Sequence, residues 1–245
     1  MKKIILLVVL CLSSITTQTQ DFKEVKTAQD VIDNYLLAVG GADALKEVKS
    51  IQMKGKMASA EMNGENGGIE IYYSDKYVYM NISTAMFSMK QAIDFDKKKG
   101  WTLFGEMFKE MNEEELQKSQ KSIEGTLWGN FLNPKASGIT YLMLENEQVD
   151  GKDAYVIDLV KDGANFLTVF FDTKTFLKIK DAGSTTMTEY ADFKETGDLK
   201  IVMPYTIKNK AGDVVLTEIK FNSKFDKKLL KKPEVKDSEE KKEDK

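Results

Sequence analysis

Several side chains that carry much of enzyme chemistry are missing from this sequence. It contains no histidine and no arginine, and its one cysteine is Cys11. Without histidine, the side chain that most readily moves protons near neutral pH is absent. Without arginine there are no guanidinium forks for bidentate contacts to phosphate or carboxylate, and lysine remains only as a point charge. Cys11 falls within the export signal described next. The mature chain therefore has no thiol nucleophile, no disulfide and no Cys/His zinc site. A formal charge of −3 over 245 residues is too small for a broad nucleic-acid footprint, so no nucleic-acid partner is expected. What is present is core material. Apolar residues make up 42% and aromatics 10%, enough to fill one large all-β domain or two small ones.

The two ends read differently from the middle. Lys2 and Lys3 precede the apolar run Ile4 to Leu12, and the polar stretch Ser13 to Thr19 follows. That run is far short of the ~20 apolar residues a bilayer span needs, so it reads as a signal peptide, residues 1–19. Thr17 and Thr19 supply small residues for cleavage before Gln20, which makes the expected location the periplasm with no transmembrane segment in the mature protein. Leu10 stands where a lipobox wants a small residue, which argues against lipid anchoring at Cys11. Loss of Lys2 and Lys3 takes the formal charge from −3 to −5. At the other end, residues 231–245 hold six lysines and six acidic residues without hydrophobic period, the signature of a disordered charged tail. Residues 20–230 contain no linker and no internal repeat, and are expected to form a single domain.

Within that domain, Thr27 followed by Asp30 resembles a capping box, and Val31, Ile32, Tyr35, Leu36 and Val39 fall on one helical face. Gly40-Gly41 supplies the stop, and a short helical turn with Ala42, Leu45 and Val48 follows. From Lys49 the period changes to two. Ile51, Met53, Gly55 and Met57 alternate with polar residues, as do Ile69, Ile71 and Tyr73, then Val78, Met80 and Ile82, then Phe87, Met89, Gln91 and Ile93. Trp101 opens a short fifth strand. Strands resume near Ile139, with Asp150-Gly151 and Asp162-Gly163 as hairpin signals. Phe166 to Phe171 is apolar on both faces and so predicts a central strand. In all, roughly ten or eleven strands are predicted, at the spacing of a barrel or sandwich. The stretch Glu106 to Phe131 interrupts them. There Asn112 can cap a helix whose first turn is Glu113, Glu114 and Glu115, with Leu116, Ile123 and Leu127 on one side.

Four phrases resemble the LolA-like outer-membrane lipoprotein-sorting family: Tyr35 to Gly41 with Leu45 and Val48 to Ile51, then Phe95 to Trp101, Val202 to Ile207, and Phe225 to Pro233. Order and spacing match over nearly the whole mature chain. The resemblance implies a mainly β (α+β) fold, a strongly curved antiparallel sheet forming an unclosed barrel with helices over its mouth. It also implies a role, carrying lipoprotein acyl chains or another hydrophobic ligand across the periplasm, with an envelope protein as a possible partner. The arginine associated with latching the helical lid in those carriers has no counterpart here, so that latch does not carry over.

On this reading the residues expected to line an apolar cavity are Met53, Ile71, Tyr73, Met80, Met89, Phe104, Leu116 and Trp128. Methionine suits such walls because it reshapes around irregular apolar ligands. The same side chains can also fill a closed core, which defines the rival reading, a non-transporting sensor or scaffold module. No catalytic residue and no cofactor are expected. Adjacent Glu113, Glu114 and Glu115 do not converge on one point of a helix, so no metal site is expected there. Ser83 and Ser88 have no histidine partner, and the glycines at 64, 67 and 68 precede no helix, so no phosphate loop is indicated.

Overall fold

The period-two alternation becomes a single antiparallel sheet. The structure, a computed structural model, describes residues 21–58, 66–84, 88–124, 128–210 and 212–233. The expected signal peptide with Cys11 and the residues beyond Pro233 lie outside the described residues, as do Asn63, Gly64, Phe87 and Leu127. The first half of the sheet contains β1 (Ser50–Ala58), β2 (Asn66–Ser74), β3 (Tyr77–Ser83), β4 (Ser88–Asp94), β5 (Lys99–Phe104) and β6 (Met107–Glu110). The second contains β7 (Ile139–Met143), β8 (Glu147–Val149), β9 (Lys152–Lys161), β10 (Ala164–Asp172) and β11 (Lys178–Ala182), then β12 (Met187–Thr196), β13 (Ile201–Asn209) and β14 (Gly212–Phe221).

These fourteen strands run in the order β6-β5-β4-β3-β2-β1-β14-β13-β12-β11-β10-β9-β7, with β8 paired to β9. The end strands β6 and β7 are not paired to each other, so the barrel is unclosed. The count exceeds ten or eleven in part because β6 and β8 are ladders of four and three residues, too short to show an alternation. Both hairpin signals hold. Asp150 and Gly151 have φ of 49° and 75°, and Asp162 and Gly163 have 52° and 78°, the positive pair that matches strand twist. The two halves join where β1 pairs with β14, whose register shifts between Lys54 and Gly55. A Cβ on Gly55 would sit 2.6 Å from the Val215 carbonyl oxygen, so only glycine permits this close approach.

Four helices accompany the sheet among the described residues: α1 (Ala28–Ala38), α2 (Ala42–Lys46), α3 (Glu113–Glu124) and α4 (Gly129–Leu132). The capping box at Thr27 and Asp30 forms in both directions. Asn112 and Glu115 make the same exchange at α3, with the Glu115 N–H 2.9 Å from Asn112 Oδ1 and the Asn112 N–H 3.0 Å from Glu115 Oε2. The expected insertion from Glu106 is therefore more than a helix. It opens with the edge strand β6 and ends in α4.

The main core forms where α1 lies on one face of the second half-sheet, the inner face. Val31, Ile32, Tyr35 and Leu36 meet Ile157, Val169, Phe171 and Ile201, all buried. The Tyr35 ring lies 5.1 Å from both Phe131 and Phe171. On the outer face β10 builds a second cluster, in which Phe170 packs with Val156 and Ile179. This explains why its sequence is apolar on both sides.

Candidate functional site

Strand register decides which side chains of the first half-sheet share the inner face. Tyr73, Val78, Ile93 and Gly100 are successive cross-strand partners and form one row. Met53, Ile71, Met80 and Gln91 form the next. Gly55, Ile69, Ile82, Met89 and Phe104 form a third. Side chains directly opposite one another in a ladder stand side by side, so these rows make a largely apolar surface across β1 to β3, into which Gln91 brings a polar group on β4.

The helices cover it unevenly. Leu116 of α3 is buried against Val78 and Ile93, with Tyr73, Phe95 and Met111 around it. That contact seals the first row. The space is close, because a Cβ on Gly100 would lie 2.9 Å from Met111 Sδ and 3.0 Å from Leu116 Cδ2. The second and third rows are different. Met53, Ile71, Met80, Ile69, Ile82 and Met89 are all half-buried, Phe104 is 47% exposed and Met107 of β6 is 70% exposed.

The residues expected to line a cavity therefore meet in part. Met53, Ile71 and Met80 share one row, Met89 and Phe104 the adjacent one, and Tyr73 and Leu116 bound them. Trp128 lies off these rows, though it shares a smaller cleft with Tyr73. It is buried in the main core, its ring 6.4 Å from Phe221. Ile69, Ile82 and Met107 belong to the surface without having been singled out. Their place follows from register, and a one-residue slip would reverse it. Trp101, the other tryptophan, anchors the outer face. It is buried with Tyr72, Tyr79, Ala92 and Phe225, and its indole N–H donates to the Leu230 carbonyl at 3.0 Å.

Beside the first row, a cleft of 190 Å³ is lined by Leu45, Val48, Ile51, Tyr73, Trp128 and Leu132, with the polar Lys49, Ser50 and Asp75 at its side. It is smaller than the ~300 Å³ at which ligand pockets usually begin. Burial pushes the Tyr73 hydroxyl above the ordinary tyrosine range, so it stays neutral at any physiological pH. Tyr35, deep in the core, is displaced further by the same cause. Among the described residues no group of three or more acidic or thiol side chains is placed to hold a metal ion, and no helix is long and apolar enough to cross a membrane.

No family model matches the sequence, and no curated protein matches it. Solved structures do align with it over most of its length. A LolA superfamily protein from Nitrosomonas europaea is 12% identical, aligned over 85% of this chain and 99% of its own, with a TM-score of 0.47. A DUF1329 family protein from Desulfovibrio piger is 9% identical over 86% of this chain and 100% of its own, with a TM-score of 0.49. At such identities and scores, ligand and partner have to be argued from this chain's own residues.

Proposed function

We propose that this protein is a periplasmic binding or carrier protein for an acyl chain or comparable apolar ligand, which lies on the inner face of β1 to β5. One observation carries the reading. Methionine and isoleucine rows stand half-buried on the inner face of the first half-sheet, where Met53, Ile69 and Ile82 pack at the margin of the main core and Ile71, Met80 and Met89 reach beyond it. Apolar surface of that extent is costly to leave in water and is retained where something covers it. Methionines at 53, 80 and 89 give the surface the adaptability that a variable chain needs. The sequence phrases that resemble LolA-like proteins imply the same class of ligand. Among the described residues no group of three or more acidic side chains able to hold a metal ion accompanies the face.

The small volume of the cleft beside Trp128 supports a second reading, a non-transporting envelope module that uses the same face as a scaffold for a protein partner. Uptake separates the two. Native mass spectrometry of the mature protein, with organic extraction of any added mass, is expected to reveal a bound lipid or acylated peptide. Titration with a fluorescent fatty acid is expected to saturate. Met80→Asp or Met89→Asp places a charge in the apolar rows and should weaken uptake about tenfold or more. A clean apo mass together with no fatty-acid uptake by the unmodified protein would leave the fold intact and move the assignment to the scaffold.

A further inference from the structure

A second cleft lies at the β4–β5 turn and opens mainly to the outer face of the same half-sheet. It measures 420 Å³, more than twice the volume of the cleft beside Trp128. The turn brings Lys97, Lys98 and Lys99 to it, and the C-terminal segment brings Lys227, Lys231 and Lys232. Against these six ammonium groups its described lining sets two carboxylates, Asp94 and Glu110. Lys97 pairs with Asp94 at 3.4 Å, and Lys232 pairs with Glu110. Lys98, Lys99, Lys227 and Lys231 have no salt bridge among the described residues. The concavity thus carries an excess of four positive charges on a chain whose formal charge is −3.

The lysines of the C-terminal segment are pinned there by packing. Phe225 stacks on Tyr77 with ring centroids 4.8 Å apart and packs on Tyr72 at 4.7 Å. Asp226 Oδ1 accepts from the Lys228 N–H at 3.0 Å and starts the short 3-10 turn Lys227–Leu230, whose last carbonyl receives the Trp101 indole N–H. On the other side, Asp94 Oδ1 accepts from the Lys97 N–H at 3.1 Å, and Lys98 takes a left-handed φ of 51°. Both walls are set by the backbone. Six exposed lysines around one concavity raise its positive potential, which a bound anion offsets.

We infer that this cleft binds a multiply charged anion of the phosphate-ester class. The guanidinium fork, which serves carboxylate and phosphate alike, is absent, and what remains is a set of ammonium point charges; these favour the anion of higher charge, and a phosphate monoester carries about two negative charges at neutral pH against one for a carboxylate. Trp101, Met111 and Leu230 give the cleft an apolar floor for the organic part of such a molecule. An anionic phospholipid headgroup and a soluble organic phosphate share this chemistry. The inference is independent of the apolar inner face.

The test uses the full mature chain and two probes. Inorganic pyrophosphate is titrated by calorimetry, and phosphatidylcholine vesicles with and without phosphatidic acid are co-sedimented. The double variant Lys98→Glu/Lys231→Glu is compared with Lys56→Glu/Lys161→Glu, which makes the same charge change at exposed positions on other strands. The cleft variant should lose about tenfold or more in affinity, and the control should stay within about twofold at moderate salt. Binding of phosphatidic acid vesicles that only the cleft variant loses identifies a headgroup site. Binding of pyrophosphate alone with the same dependence identifies a soluble phosphate. Absence of binding to both probes, or equal loss in the control, overturns the inference.

Discussion

Thr27 and Asp30 show how much a single residue pair contributes at a helix start. Asp30 Oδ2 accepts from the Thr27 N–H at 2.9 Å and the Lys26 N–H at 3.1 Å, and Thr27 Oγ1 accepts from the Asp30 N–H at 3.3 Å. Thr27→Ala should cost about 1 kcal/mol, measured as a lower urea midpoint. The hydrogen bond from the Thr27 side chain, then that from the Lys26 backbone, holds the Asp30 carboxyl below its ordinary 3.8. A pKa lowered by folding stabilises fully above the unfolded value and is lost as pH falls through the folded one. The stability advantage of the natural protein over Asp30→Asn should therefore shrink below about pH 4 and be flat above it. Equal pH dependence of the two proteins across that range would contradict the box. This feature was legible in the sequence because capping is local, its partners three residues apart.

At the scale of elements, one buried side chain seats the described part of α3. Its first turn is acidic, and among the described side chains Leu116 is the one buried against Val78 and Ile93. Leu116→Ala should destabilise the protein by roughly 2–3 kcal/mol through the cavity left behind. The loss should be concentrated in α3, so amide exchange is expected to quicken there while α1 stays protected. If ligand enters over the first row, the same variant should take up the fluorescent fatty acid faster than the natural protein. An equal rate would place entry elsewhere. The strands themselves were readable from alternation, and both Asp-Gly turns from their chemistry. The ladders Met107–Glu110 and Glu147–Val149 were not, since four and three residues hold too few alternations to register.

At the scale of the molecule, the pairing of β1 with β14 makes one sheet of two half-sheets. Partners such as Ile51 and Phe221 lie far apart in sequence, so each half can be completed only when the chain ends meet. Unfolding should then be a single transition. Phe171→Ala, at a position with no exposed surface, should cost about 3–5 kcal/mol and lower the denaturant midpoint without changing the slope. Two separated transitions would show that the halves fold independently.

The sequence by itself determined the capped first helix, the antiparallel β character, the hairpin turns and the missing chemistries, because each rests on neighbours within a few residues or on composition. It also marked the methionines and isoleucines as one-sided. Only the tertiary structure decided which of them meet. Register across β1 to β5 gathers Met53, Ile71, Met80, Met89 and Phe104 on one surface. The seating of α1 on the second half-sheet draws Trp128 into the core. The return of Phe225 to Leu230 against Trp101 assembles a lysine cleft from two runs well over a hundred residues apart, of which the C-terminal one runs into the charged tail. The physical reason is common to all three. Pairing and packing partners distant along the chain leave no periodic trace in either segment alone.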